Sequence, residues 1–239
     1  MKNTNTLKTL LLATSVAMGL FANSSSQAAL ITYQPNQFDS FTIANDDTQI
    51  LTNGDPLRAY TFSTGNSVTI NGVNFTPFAN QTVDTVSAPG GFSDFGGFAT
   101  TAVLNVNYRD LVTGAIFSNN NGDVATFTFN NLTIGTPYVF QLWAMDDRAL
   151  ADGRALNFSG GPNISYNING VEGGFGQYAI GSFVADATFQ SITLTPTGPN
   201  TPSLISAVQL RVVPEPTTAL MLGIAGALFA FRRRFVARS

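Results

Sequence analysis

Val68-Thr69-Ile70-Asn71-Gly72-Val73-Asn74-Phe75 sets two short alternating runs on either side of an Asn-Gly pair. Asn and Gly both tolerate the positive φ of a two-residue type I′ turn, whose twist matches that of paired strands. The stretch therefore predicts a β-hairpin. Outward from it, the same alternation of apolar and polar residues returns at 38–43, 58–62, 102–108, 124–129, 136–145, 155–158, 164–168, 177–184, 191–194 and 204–212. Asn, Thr, Ser, Gly and Phe are abundant and Lys is absent between residues 29 and 213, a bias against helix and toward strands joined by turns. The expected fold is all-β, a two-sheet sandwich or jelly roll.

The connections read less uniformly. Asn119-Asn120-Asn121-Gly122-Asp123 predicts a loop. Residues 85–97, with Pro89, Gly90, Gly91, Gly96 and Gly97 around Phe92 and Phe95, predict one long irregular loop, either a binding element or an ordered loop pinned by its phenylalanines. Glycines at 170–176 suit a turn or bulge; no Lys-Ser or Lys-Thr follows them, as a phosphate-binding loop requires. No repeat of 20 to 50 residues is found, which argues against a propeller or solenoid.

Both ends of the chain carry targeting features. Lys2 and Lys8 precede an uncharged run at 10–22, and Ser26-Gln27-Ala28-Ala29 offers a small-x-small exit, the pattern of a secretory signal peptide spanning 1–28 with a short signal helix. At the other end stand Val213-Pro214-Glu215-Pro216, an uncharged run at 217–231, and Arg232-Arg233-Arg234. The prolines hold an extended, non-helical joint. About 15 helical residues rise roughly 23 Å, short of the about 20 residues of a usual membrane span, and the arginines can snorkel to add reach. The run predicts a C-terminal transmembrane helix with a basic membrane stop on the cytoplasmic side. Three parts follow: a signal at 1–28, a β-sandwich at 29–212 and a sorting tail at 213–239.

In combination, this tail resembles the PEP-CTERM sorting signal of Gram-negative bacteria. The resemblance implies recognition by an exosortase, an inner-membrane protease-transpeptidase that removes the tail and sends the body onward. It further implies Pro214, Glu215 and Pro216 as the recognition element and Arg232, Arg233 and Arg234 as the retention element. Expected partners are the general secretion machinery, the exosortase and, transiently, the inner membrane; the expected destination is the cell surface or extracellular matrix.

Composition limits what the body does there. It carries five arginines against twelve aspartates and Glu172, a net charge of about −8 that argues against nucleic acid and anionic lipid surfaces. The chain has neither Cys nor His, so it holds no disulfide and lacks Ser-His-Asp, Cys-His and His-zinc chemistry. Carboxylates remain, and a glycosidase built on Glu172 and an Asp partner is the enzymatic alternative.

Leu132 to Trp143 and Gly176 to Asp186 are similar to PEP-CTERM protein bodies with a galactose-binding-like jelly roll, in which a Gly- and Tyr-bearing turn leads into a core strand. Strand phase puts Tyr138, Phe140, Leu142 and Ala144 on the core face and Val139, Gln141, Trp143 and Met145 on the other. Gln141 and Trp143 are then either a sugar-stacking platform on an accessible concave face or covered by the second sheet or a loop. After that strand, Asp146, Asp147 and Asp152 are candidate ligands of a structural Ca2+, or else partners of Arg148 and Arg154, or solvated charge. No other cofactor is expected. The functional expectation is a non-catalytic exported surface or matrix protein that binds exopolysaccharide, with a structural or adhesive protein without specific ligand as the alternative.

Overall fold

A computed structural model describes residues 29–34, 49–62, 65–95, 106–146, 148, 153–158, 164–167 and 177–214. The signal segment, the tail beyond Pro214, and the predicted strand at 38–43 lie outside these residues. Among the described residues no helix is long and apolar enough to cross a membrane.

The strands in chain order are β1 (Thr32–Tyr33), β2 (Asp55–Thr61), β3 (Val68–Ile70), β4 (Val73–Pro77), β5 (Thr85–Ser87), β6 (Phe92–Phe95), β7 (Ala115–Ser118) and β8 (Ala125–Asn130). They continue with β9 (Pro137–Ala144), β10 (Ala155–Phe158), β11 (Ile164–Asn167), β12 (Gln177–Val184), β13 (Phe189–Thr197), β14 (Leu204–Ile205) and β15 (Ala207–Val212). The α-helix α1 (Val106–Val112) lies between β6 and β7, and a 3-10 turn, Phe78–Asn80, between β4 and β5. A seven-stranded sheet runs β1-β12-β9-β15-β2-β4-β3, a five-stranded sheet β11-β10-β13-β8-β5, and a small third sheet β14-β7-β6. The expected sandwich is thus present, with a third small sheet added.

Packing between the two large sheets follows from alternation in β8, whose Ala125, Phe127 and Phe129 are buried while Thr126, Thr128 and Asn130 are less so. Phe129 meets Phe140 of β9 at 5.9 Å between ring centroids, and Phe127 meets Phe62 at 6.3 Å. Each fully buried Phe of this kind contributes about 1.5 to 3 kcal/mol. At the heart of the larger sheet, β9 is flanked by β12 and β15. β4 stands three strands from β9, yet Phe75 lies 5.7 Å from Trp143, so the hairpin end of that sheet curls back over its outer face.

The hairpin forms as its Asn-Gly pair predicts, with Ile70 opposite Val73 and φ of 47° at Asn71 and 74° at Gly72. Two expectations are corrected. Residues 106–108 of the segment predicted as a strand at 102–108 belong to α1, because Tyr108, Leu111 and Val112, at helical spacing, bury one face. The stretch expected as one irregular loop at 85–97 contains β5 and β6, joined by a turn in which the Gly91 amide bonds the Ala88 carbonyl at 3.0 Å. At Gly90 a Cβ would push the Asn120 and Asp123 side chains aside, since the loop at 119–123 closes over the turn and Asp123 accepts from the Gly90 amide.

Candidate functional site

Strand β9 is buried on both faces, which overturns the accessible-platform reading of Gln141 and Trp143. Trp143 is 2% exposed and Gln141 fully buried. The Trp143 indole N–H donates to the Tyr108 hydroxyl at 2.8 Å, and Phe75 packs edge-on against the ring. Burial pushes the Tyr108 hydroxyl pKa up, with the indole bond opposing that rise. Trp143 is covered by α1 and the curled hairpin, and Gln141 by a strap at 49–54.

The strap is tied down by side chains where a strand would use a backbone ladder. Gln141 Oε1 accepts from the Leu51 amide at 2.9 Å while its Nε2 donates to the Gln49 carbonyl at 2.8 Å. Gln209, directly opposite on β15, donates to Gln141 Oε1 at 2.9 Å and to the Leu51 carbonyl at 3.1 Å. Two residues on, Arg211 donates to the carbonyls of Thr52 at 2.9 Å, Asn53 at 2.9 Å and Gly54 at 2.6 Å. Burial lowers the Arg211 pKa, with Asp55 opposing. Gly54 has φ of 84°, and a Cβ on it would strike the Val212 carbonyl. The sequence signal for this network was two polar residues, Gln209 and Arg211, sharing one face of an otherwise apolar strand.

Of the candidate calcium ligands, Asp146 is fully buried and both its oxygens are engaged by arginine. Arg148 Nε and Nη2 each reach it at 2.7 Å, and Arg154 Nη1 at 3.1 Å. Asp147 and Asp152 lie outside the described residues, and among those described no three metal-ligating side chains gather. A second buried carboxylate went unnoticed in the sequence: Asp84 accepts from Arg58 at 2.5 Å and the Asn130 amide at 2.8 Å. Burial raises its pKa, opposed by Asn130, Arg58 and the neighbouring Tyr60 hydroxyl, and Tyr60 itself is pushed up to about 12, chiefly by burial.

β15 leads straight to the sorting tail. Its last residue, Val212, pairs with Tyr138 on one side and Asp55 on the other, and the Val213 amide bonds the Pro137 carbonyl at 2.9 Å. Pro214, with no amide hydrogen, follows at once. Beside this exit opens a cleft of about 570 Å³, lined in part by Ala29, Tyr138, Phe183, Asp186 and Val213. A smaller cleft of about 130 Å³ lies among Phe62, Phe78 and Asp94.

Residues 212–234 match the PEP-CTERM protein-sorting motif. The match begins on the last residue of β15 and carries recognition by exosortase, with export and processing at the membrane. No curated protein matches the chain. Solved structures similar to it include a family GH115 4-O-methyl-α-glucuronidase, at 16% identity and TM-score 0.30 over 43% of this chain and 15% of that one. An exo-β-1,3-galactanase from Phanerochaete chrysosporium is 14% identical, with TM-score 0.31 over 58% of this chain and 30% of that one. TmCBM61, solved with β-1,4-galactotriose, is 13% identical, with TM-score 0.32 over 54% and 88% of the two chains. The chain thus spans a third or less of the two enzymes, and at these scores no ligand or activity transfers to it.

Proposed function

We propose that the sandwich is a non-catalytic cell-surface or matrix protein of a Gram-negative bacterium, exported behind a cleaved signal peptide at 1–28. In this reading an inner-membrane helix at 217–231 and the stop at Arg232 to Arg234 hold it briefly before exosortase removes the tail at Pro214-Glu215-Pro216. The observation that carries the reading is the position of the motif. It starts where β15 ends, so removing everything beyond Pro216 leaves every described ladder bond of the sandwich in place.

The acidic, His-free and Cys-free composition supports a non-catalytic role. So do the two clefts: among the described residues Asp186 is the sole carboxylate lining one and Asp94 the sole carboxylate lining the other, whereas hydrolysis by paired carboxylates needs two within about 5 to 9.5 Å. Glu172 lies outside the described residues. Exopolysaccharide binding stays part of the proposal, on a surface other than the buried Gln141 and Trp143.

The test compares cell fractions of strains with and without exosortase. The full chain accumulates in the inner membrane when the enzyme is missing and reaches the surface when it is present; equal surface display in both strains would overturn the reading. A glycan array on the secreted body decides the ligand, with reproducible binding supporting recognition and uniform silence supporting a structural role.

A further inference from the structure

The exit end of the sandwich is unusually apolar on its surface. Leu30 is 72% exposed, Ile134 61% and Val184 56%, three of the six large exposed apolar side chains among the described residues. They lie together: Leu30 and Val184 line the larger cleft with Val213, and the turn that carries Ile134 is bonded to Ala185 through the Gly135 amide at 2.7 Å. Among the described residues, Asp186 is the only charged side chain lining that cleft.

The joint is too short to hold this surface away from whatever cuts the tail. Val213 is fixed to Pro137 by its amide, and the three residues 214–216 span at most about 10 Å when extended. An enzyme with its active site on Pro214-Glu215-Pro216 must therefore press against the end of the sandwich. Desolvating a polar surface there would cost free energy, whereas Leu30, Ile134 and Val184 favour the contact.

We propose that the Leu30, Ile134 and Val184 surface is a docking face for the membrane-embedded processing enzyme, matched by an apolar rim around that enzyme's active site. The inference rests on the sorting reading above. It also adds that the folded body, and not the tail alone, is part of the substrate.

The experiment follows tail removal by pulse-chase in cells that carry the exosortase, using the full chain, the double variant Leu30→Gln with Val184→Gln, and each of these with a flexible ten-residue spacer after Val213. Both substituted side chains are exposed, so thermal melting of the secreted body checks that folding is kept. The double variant is expected to be processed about tenfold more slowly than the unaltered chain. With the spacer the two rates converge, because contact is no longer forced. Equal rates without the spacer, or an unchanged gap with it, overturn the proposal. So does binding of the body to lipid vesicles, or its dimerisation, if the double variant abolishes it. If even the unaltered chain keeps its tail, the sorting reading itself fails; if the tail is lost at equal rates, only the docking face does.

Discussion

Replacing Gln141 with Leu removes at one stroke the acceptor for the Leu51 amide, the donor to the Gln49 carbonyl and the partner of Gln209 Nε2. Buried polar groups left in this way cost about 1 to 3 kcal/mol each when water cannot reach them, so Gln141→Leu is expected to destabilise the body by about 2 to 4 kcal/mol in urea denaturation. Trp143→Phe, which loses the indole donor to Tyr108 and part of the ring volume, is expected to cost about 2 kcal/mol and to leave any glycan binding unchanged. Asp84 gives a pH signature. Its folded pKa is raised, so the native state keeps the proton to higher pH than the unfolded chain, and the stability it contributes falls as pH rises from about 3.8 through the folded value. The stability difference between the parent and Asp84→Asn should decline over that window; a difference flat in pH would contradict the assignment. At this scale the sequence was half legible. Phase placed Tyr138, Phe140, Leu142 and Ala144 on the core face, but a strand whose opposite face bears Val139, Trp143 and Met145 is apolar on both sides, and both are buried. Gln141 resembled a ligand contact because strand alternation cannot distinguish solvent from a strap recruited from residues 49–54.

Among elements, the strap depends on Arg211 as much as on the glutamines. Arg211→Met is expected to cost about 2 to 3 kcal/mol and to speed amide exchange in residues 50–54, while exchange at the centre of β9 rises only as far as global stability falls. Equal local exchange in parent and variant would show that the three carbonyls find other partners. The hairpin was legible because Asn71-Gly72 specifies its turn locally. Strands β9, β10 and β12 were legible to within a residue of their ends from alternation between clear breakers. Helix α1 was hidden because Val106 and Tyr108 alternate over the one turn preceding the helical pair Leu111 and Val112. β5 and β6 were hidden by Gly90 and Gly91, which sit in a turn against the side chains of the loop at 119–123, a long-range fact.

For the whole molecule, the sandwich, the acidic balance of the body and the sorting motif were legible together, since each is a property of composition or of a contiguous stretch. What the structure adds is where the ends lie. Ala29, where the proposed exported form begins, and Val213 line one cleft, and β15, a central strand locked between β9 and β2, ends where the sorting motif starts. A body so anchored keeps its fold when the tail goes, and the secreted form 29–216 is expected to melt within a few degrees of the full chain in detergent. The central claim is that Pro214-Glu215-Pro216 marks the end of the working protein. Intact-mass measurement of the protein taken from the cell surface tests it most directly: the account predicts a species that begins at Ala29 and lacks 217–239, and a surface species still carrying that helix with Arg232, Arg233 and Arg234 would contradict it.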